Sequence, residues 1–194
     1  MSISRNALLR SLDGLLQPER FKDYGPNGLQ VEGKDSIQRI VSGVTASRAL
    51  IEAAIDQRAD ALFVHHGLFW RGQDGRVVGW MKERLRLLLA HDISLFAYHL
   101  PLDHPEWGSN AQLGRVLGWQ AHQRFDEQEL GCVSDGGVCR CPGAGCPPSA
   151  SSGTRRHLGS DGLRAIHHVA WCTGGAHGFF EADIAAGADA FITG

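Results

Sequence analysis

Two stretches of this chain spell nearly the same pattern, and that constrains its fold more than any single motif. Residues 41–64 run V-S-G-V-T-A-S…A-D-A-L-F-V, and residues 169–193 run V-A-W-C-T-G-G…A-D-A-F-I-T with one residue inserted. Each copy reads as strand, turn, helix, Ala-Asp-Ala and strand, which is a βαβ unit and so implies parallel pairing. The remaining patterning agrees. Residues 81–91 place Met81, Leu85, Leu88 and Leu89 on one helical face, and residues 93–98 (ISLFAY) form a further strand. Ser4 can cap a first helix carrying Leu8, Leu12, Leu15 and Leu16. Thr45 or Ser47 can cap the helix after the first repeated strand, and Ser109 opens another containing Leu113, Val116 and Leu117. The fold class is therefore α/β, with duplicated layered lobes built on mixed or parallel sheets.

Organisation follows from where this patterning stops. Residues 1–125 form the expected first lobe, residues 126–162 an irregular linker, and residues 163–194 the start of a second lobe. Within the linker, 139–157 (CRCPGAGCPPSASSGTRRH) contain no Val, Ile, Leu, Met, Phe, Tyr or Trp and so cannot bury apolar area. Such a composition is what a GC-rich gene gives when read out of frame. The cysteines from Cys132 to Cys146 lack the paired knuckles of a zinc or iron–sulfur site. The second copy reaches Gly194 where the first presents His65, so the second lobe is expected to be incomplete.

Composition excludes several classes. With 19 basic and 21 acidic residues the net charge is −2, so no overall field marks a nucleic-acid binder. No stretch approaches the roughly 20 apolar residues that span a bilayer. Arg10, Ser11 and Asp13 interrupt the N-terminal apolar positions, so no signal peptide is read there. The five cysteines all lie beyond residue 131, unlike a secreted disulfide scaffold, and a cytoplasmic location is expected.

The ten histidines are where chemistry concentrates. His65 and His66 end one buried strand, and His99 and Asp103 follow another, around Pro101. Open α/β sheets place ligands at the carboxyl ends of their strands. Imidazole with carboxylate suits Zn, Mn, Fe or Ni, and adjacent histidines on separate ions would suit a two-metal site. Asn27, in the turn Pro26-Asn27-Gly28, either lines that pocket or simply makes the turn. Cys172, after a buried strand, reads as core. No phosphate-cradling P-loop, nucleophile elbow or H-E-x-x-H occurs.

The strings PNGLQVEG (26–33), SGVTAS (42–47), ADALFVHHGLFW (59–70), HLPLDHPEWGSNAQL (99–113) and VAWCTGG…ADAFITG (169–194) resemble the Nif-three-like family, also labelled GTP cyclohydrolase I type 2 homologues, in its bacterial YbgI-like branch. The resemblance implies a duplicated α/β fold, two divalent metal ions in a cleft and a homohexameric ring. His65 and His66 would each bind one ion, Asp103 would be the carboxylate ligand, and His99 would sit beside them as a proton shuttle. The family's other ligands, a His and a Glu, lie in a C-terminal G-H-H-x-x-x-E-like motif that residues 1–194 do not contain, so metal affinity is expected to be reduced. The implied activity is metal-dependent hydrolysis of a nucleotide-like small molecule. The alternatives are a non-catalytic metal-binding ring scaffold or regulator, and an inactive truncated product.

Overall fold

The computed structural model describes residues 2–103, 106–126, 128–140 and 165–193, and these fall into two compact units, 1–102 and 103–194. In the first unit, β1 (Ile3–Ser4) pairs with β3 (Ser36–Ile37). The main sheet has the order β2 (Gly28–Val31), β6 (Ser94–Ala97), β5 (Ala61–His66), β4 (Ile40–Thr45). β4, β5 and β6 run parallel, and β2 is antiparallel at the edge. Helix α2 (Arg48–Asp56) connects β4 to β5, and α3 (Gly79–Ala90) connects β5 to β6.

Period-two alternation covers this sheet on both faces. Leu62, Val64, Leu95 and Ala97 pack with Ile51, Ala54, Met81 and Leu88 of α2 and α3. Ala61, Phe96 and Tyr98 face the other way and pack with Leu8, Leu9, Leu12 and Leu16 of α1 (Arg5–Leu16). Each fully buried Leu contributes about 1.5–3 kcal/mol relative to exposure. The caps are local: Ser4 Oγ accepts from Ala7 N at 3.2 Å, and Ser47 Oγ accepts from Leu50 N at 3.2 Å. Of the two expected caps for α2, Ser47 takes the role and Thr45 is left to the strand end.

The second unit holds a four-stranded sheet of order β10 (Ala190–Thr193), β9 (Ala165–Cys172), β8 (Gly131–Arg140), β7 (Ala121–Phe125). β9 and β10 are parallel, and β8 is antiparallel to both β9 and β7. Helices α4 (Ser109–Leu117) and α5 (Phe180–Ala185) belong to this unit. β7 thus joins the second unit's sheet, and the units divide at Leu102–Asp103, ahead of the 125/126 boundary expected from composition. Residues 131–140 of the stretch expected to be an irregular linker form β8, and residues 141–157 of its apolar-poor part, with Cys141 and Cys146, lie outside the described residues.

The repeat is visible in backbone chemistry as well as sequence. Asp60 Oδ2 accepts from Gln38 N at 2.7 Å and Arg39 N at 2.8 Å, and Asp60 N donates to Arg39 O. Asp189 Oδ2 accepts from His167 N at 2.8 Å and His168 N at 3.0 Å, and Asp189 N donates to His168 O. In both copies the aspartate of Ala-Asp-Ala closes the entry of a parallel strand pair. The pairing Ile40↔Ala61 corresponds to Val169↔Ala190, so Val169 matches Ile40, one residue away from the match the letters suggest.

Candidate metal centre

β5 runs buried through Val64 and ends in His65 and His66, both half-buried. Alternation along a strand separates neighbouring side chains, yet here the ring centroids are 4.5 Å apart. β6 ends at Ala97; the buried Tyr98 and then His99 follow, the His99 ring 4.8 Å from His65 and 5.7 Å from His66. Among the described residues, these three histidines offer ligand atoms that all lie within 4.8 Å of one another.

The surroundings fix two of the rings. Asp23 Oδ1 lies 2.6 Å from His99 Nδ1. The same carboxylate accepts from Tyr24 N at 2.6 Å, Leu100 N at 2.8 Å and Asn27 Nδ2 at 2.9 Å. Burial alone would raise the Asp23 carboxyl, but the bonds from His99, Asn27, Leu100 and Tyr24 hold it below the usual range. Asn27 is more than a turn residue, because its Oδ1 also accepts from His99 N at 2.7 Å. Trp70 stands edge-on to His99 at 5.0 Å and 87°. Thr45 Oγ1 lies 3.0 Å from His66 Nδ1. With Nδ1 of each ring engaged, His66 would present Nε2 toward a cation, and His99 would present its Nε2 beside it.

The donor set suits a borderline divalent ion. Neutral imidazoles are its commonest ligands, and a carboxylate or hydroxyl on the second ring nitrogen fixes tautomer and orientation. Thr45 stands in that relation to His66, and Asp23 fixes the ring of His99 in the same way. Sequence patterning does not reveal either role: Asp23 sits in a loop 76 positions from His99, and Thr45 reads as a helix cap.

Asp103 belongs to the second unit, at the end of the 3-10 turn Leu100–Asp103. Its buried carboxylate Oδ1 accepts from Ser109 Oγ and, at 3.0 Å, from Thr173 Oγ1. Asn110 Oδ1 in turn accepts from Thr173 N at 2.6 Å. Cys172 beside them is buried, and burial, with the nearby Asp103 charge, pushes its thiol up to about 12. A thiol so protonated is a poor nucleophile, in keeping with a core role.

The sequence model of Duf34/NIF3 (NGG1p interacting factor 3) matches residues 3–194. The chain belongs to the Duf34/NIF3 family. A Pseudomonas aeruginosa protein named GTP cyclohydrolase 1 type 2 homolog is 45% identical over 200 residues, covering 100% of this chain and 79% of its own length. A Neisseria meningitidis protein of the same name is 45% identical over 197 residues, covering 99% of this chain and 78% of its own. The solved structure of protein ybgI, described as of unknown function, superposes with a TM-score of 0.77 at 35% identity, over 99% of this chain and 78% of that one. A Thermus thermophilus protein gives 0.74 at 30% identity, over the same shares. The Duf34/NIF3 fold thus carries the mixed α/β arrangement described above. No helix among the described residues is long and apolar enough to cross a membrane.

Proposed function

We propose that this chain is a divalent-metal-dependent hydrolase acting on a nucleotide-like small molecule. The observation that carries the reading is the convergence of His65, His66 and His99 at two adjacent strand ends. His65 and His66 serve as metal ligands, one to each of two ions, and Asp103 supplies the carboxylate assigned to it by the HLPLD motif. The relatives' name, GTP cyclohydrolase 1 type 2 homolog, supports a nucleotide-like substrate. A homohexamer in the cytoplasm belongs to the same proposal.

A bound divalent ion supplies Lewis-acid polarisation of a substrate oxygen. The remaining work falls to the protein. Asp23 holds His99 Nδ1 and fixes the ring, so that Nε2 carries the proton between substrate and solvent. Trp70 walls the His99 ring and limits water on that side. Thr45 keeps His66 from turning.

Metal titration and turnover together test this. Zn2+ or Mn2+ should bind saturably, and His65→Ala and His66→Ala should each remove the ion that its histidine holds. Hydrolysis of GTP or a cyclic nucleotide should require the metal and be lost in His66→Ala. Metal binding without turnover of any nucleotide would instead favour a non-catalytic scaffold or regulator. No binding that depends on these histidines would overturn both.

A further inference from the structure

Strand β2 carries one residue too many for its partner. Gly28 and Leu29 face Ala97 and Phe96 of β6, but Val31 faces Leu95, so Gln30 is the extra residue of a β-bulge. Packing records the same slip. Leu29 and Val31 would share a face in a regular strand, yet Leu29 packs on the α1 side of the sheet and Val31 on the α2–α3 side. Bulges re-aim side chains and recur beside functional sites.

The re-aimed Gln30 carboxamide bridges two turns. Its Oε1 accepts from Leu68 N at 2.8 Å, and its Nε2 donates to Pro26 O at 2.8 Å. Leu68 stands two residues past His66, where the chain leaves β5. Pro26 precedes Asn27, whose Oδ1 accepts from His99 N at 2.7 Å. One side chain therefore ties the end of the His65-His66 strand to the turn that holds His99. Gly67 fits this bridge: it is buried, and a Cβ there would overlap the Gln30 carboxamide. The two bonds together ask for one acceptor and one donor on the same planar group. An amide supplies both, whereas an ionised carboxylate only accepts.

We propose that Gln30 is a positioning residue for the metal centre, setting the separation between His99 and the His65-His66 pair. The inference rests on the metal-dependent reading above and adds a residue that acts through the histidines.

Gln30→Met keeps the length of the side chain and deletes both bonds. On the full chain, Zn2+ affinity measured against a chromophoric chelator should fall at least tenfold, as when orienting partners of metal ligands are removed. In metal-free protein the imidazole Hε1 resonances of His65, His66 and His99 should shift together, because rings 4.5–5.7 Å apart sense one another's ring currents. Gly67→Ala should reproduce both effects by expelling the carboxamide, and should add little in a Gln30→Ala background, where the space is open. Circular dichroism and urea midpoints show whether each variant is folded. A residue that only held the fold would lower the urea midpoint and leave Zn2+ affinity where it was. Zn2+ affinity or histidine resonances unchanged in folded Gln30→Met would overturn the proposal. So would effects of Gly67→Ala and Gln30→Ala that simply add. If the unaltered chain binds no Zn2+, the metal reading fails, and the shift or constancy of the resonances decides whether Gln30 places the rings.

Discussion

Asp23 grips His99 from behind: its Oδ1 lies 2.6 Å from the imidazole Nδ1, while its other donors are the backbone amides of Tyr24 and Leu100 and the side-chain amide of Asn27. A carboxylate so placed sets which ring nitrogen carries the proton. Asp23→Asn should therefore lower turnover by about 100-fold, the lower end of what positioned acid–base groups contribute. KM and Zn2+ affinity should stay within about threefold, because the ligands His65 and His66 are untouched. A variant whose KM rises while kcat holds would show that Asp23 shapes the pocket rather than the proton transfer.

His66 has a weaker orienting partner, the neutral hydroxyl of Thr45 at 3.0 Å. Thr45→Val conserves shape and strand propensity and deletes only that bond. Zn2+ affinity should fall about tenfold, at the low end of losses seen when orienting partners of metal ligands are removed. Unfolding free energy should change by no more than about 0.5 kcal/mol, since Thr45 is exposed. Chelator competition and urea melts on the same preparation check both.

Asp60 links the fold to pH. Burial would raise its carboxyl, but Lys34 and the amides of Gln38 and Arg39 outweigh it and hold the group below its ordinary 3.8. The unfolded chain thus binds this proton at a higher pH than the folded one. The stabilisation is complete above the unfolded value and is lost as pH falls through the folded one. Asp60→Asn should cost about 1 kcal/mol at pH 7. It should also flatten the acid limb of the stability curve below about pH 4. Urea midpoints from pH 3 to 7 would show a parallel offset instead if Asp60 acted only through shape.

What the sequence made legible was whatever repeats or ends abruptly. The βαβ duplication, the caps Ser4 and Ser47, and the histidines closing β5 and β6 all carry local signals, and each has its place in the structure. Asp23 carried no such signal. It lies in an irregular loop, and its role exists only once folding brings together residues 76 positions apart. The one-residue shift of Val169 against Ile40 was hidden for a related reason: hydrogen-bond register, not letter identity, decides which residues are equivalent.

Two glycines should respond to alanine with opposite signs. Gly14 lies inside α1, and a Cβ there meets nothing within 4 Å, so Gly14→Ala should stabilise by about 0.5–1 kcal/mol through helix propensity. Gly25 follows the Asp23–Tyr24 loop, and a Cβ there would stand 2.5 Å from the Phe69 carbonyl oxygen. That oxygen belongs to backbone, so relief requires the two loops to separate. They are tied by Arg71 N to Tyr24 O at 2.6 Å and by Arg71 Nη2 to Asp23 O at 2.8 Å. Separation would therefore drag Asp23 with it and loosen its hold on His99. Gly25→Ala should destabilise by about 1–3 kcal/mol. It should also lower turnover, whereas Gly14→Ala leaves turnover unchanged. If Gly25→Ala lost stability but kept full turnover, the loop would be shown to yield at Phe69 and leave the Asp23–His99 pair in place.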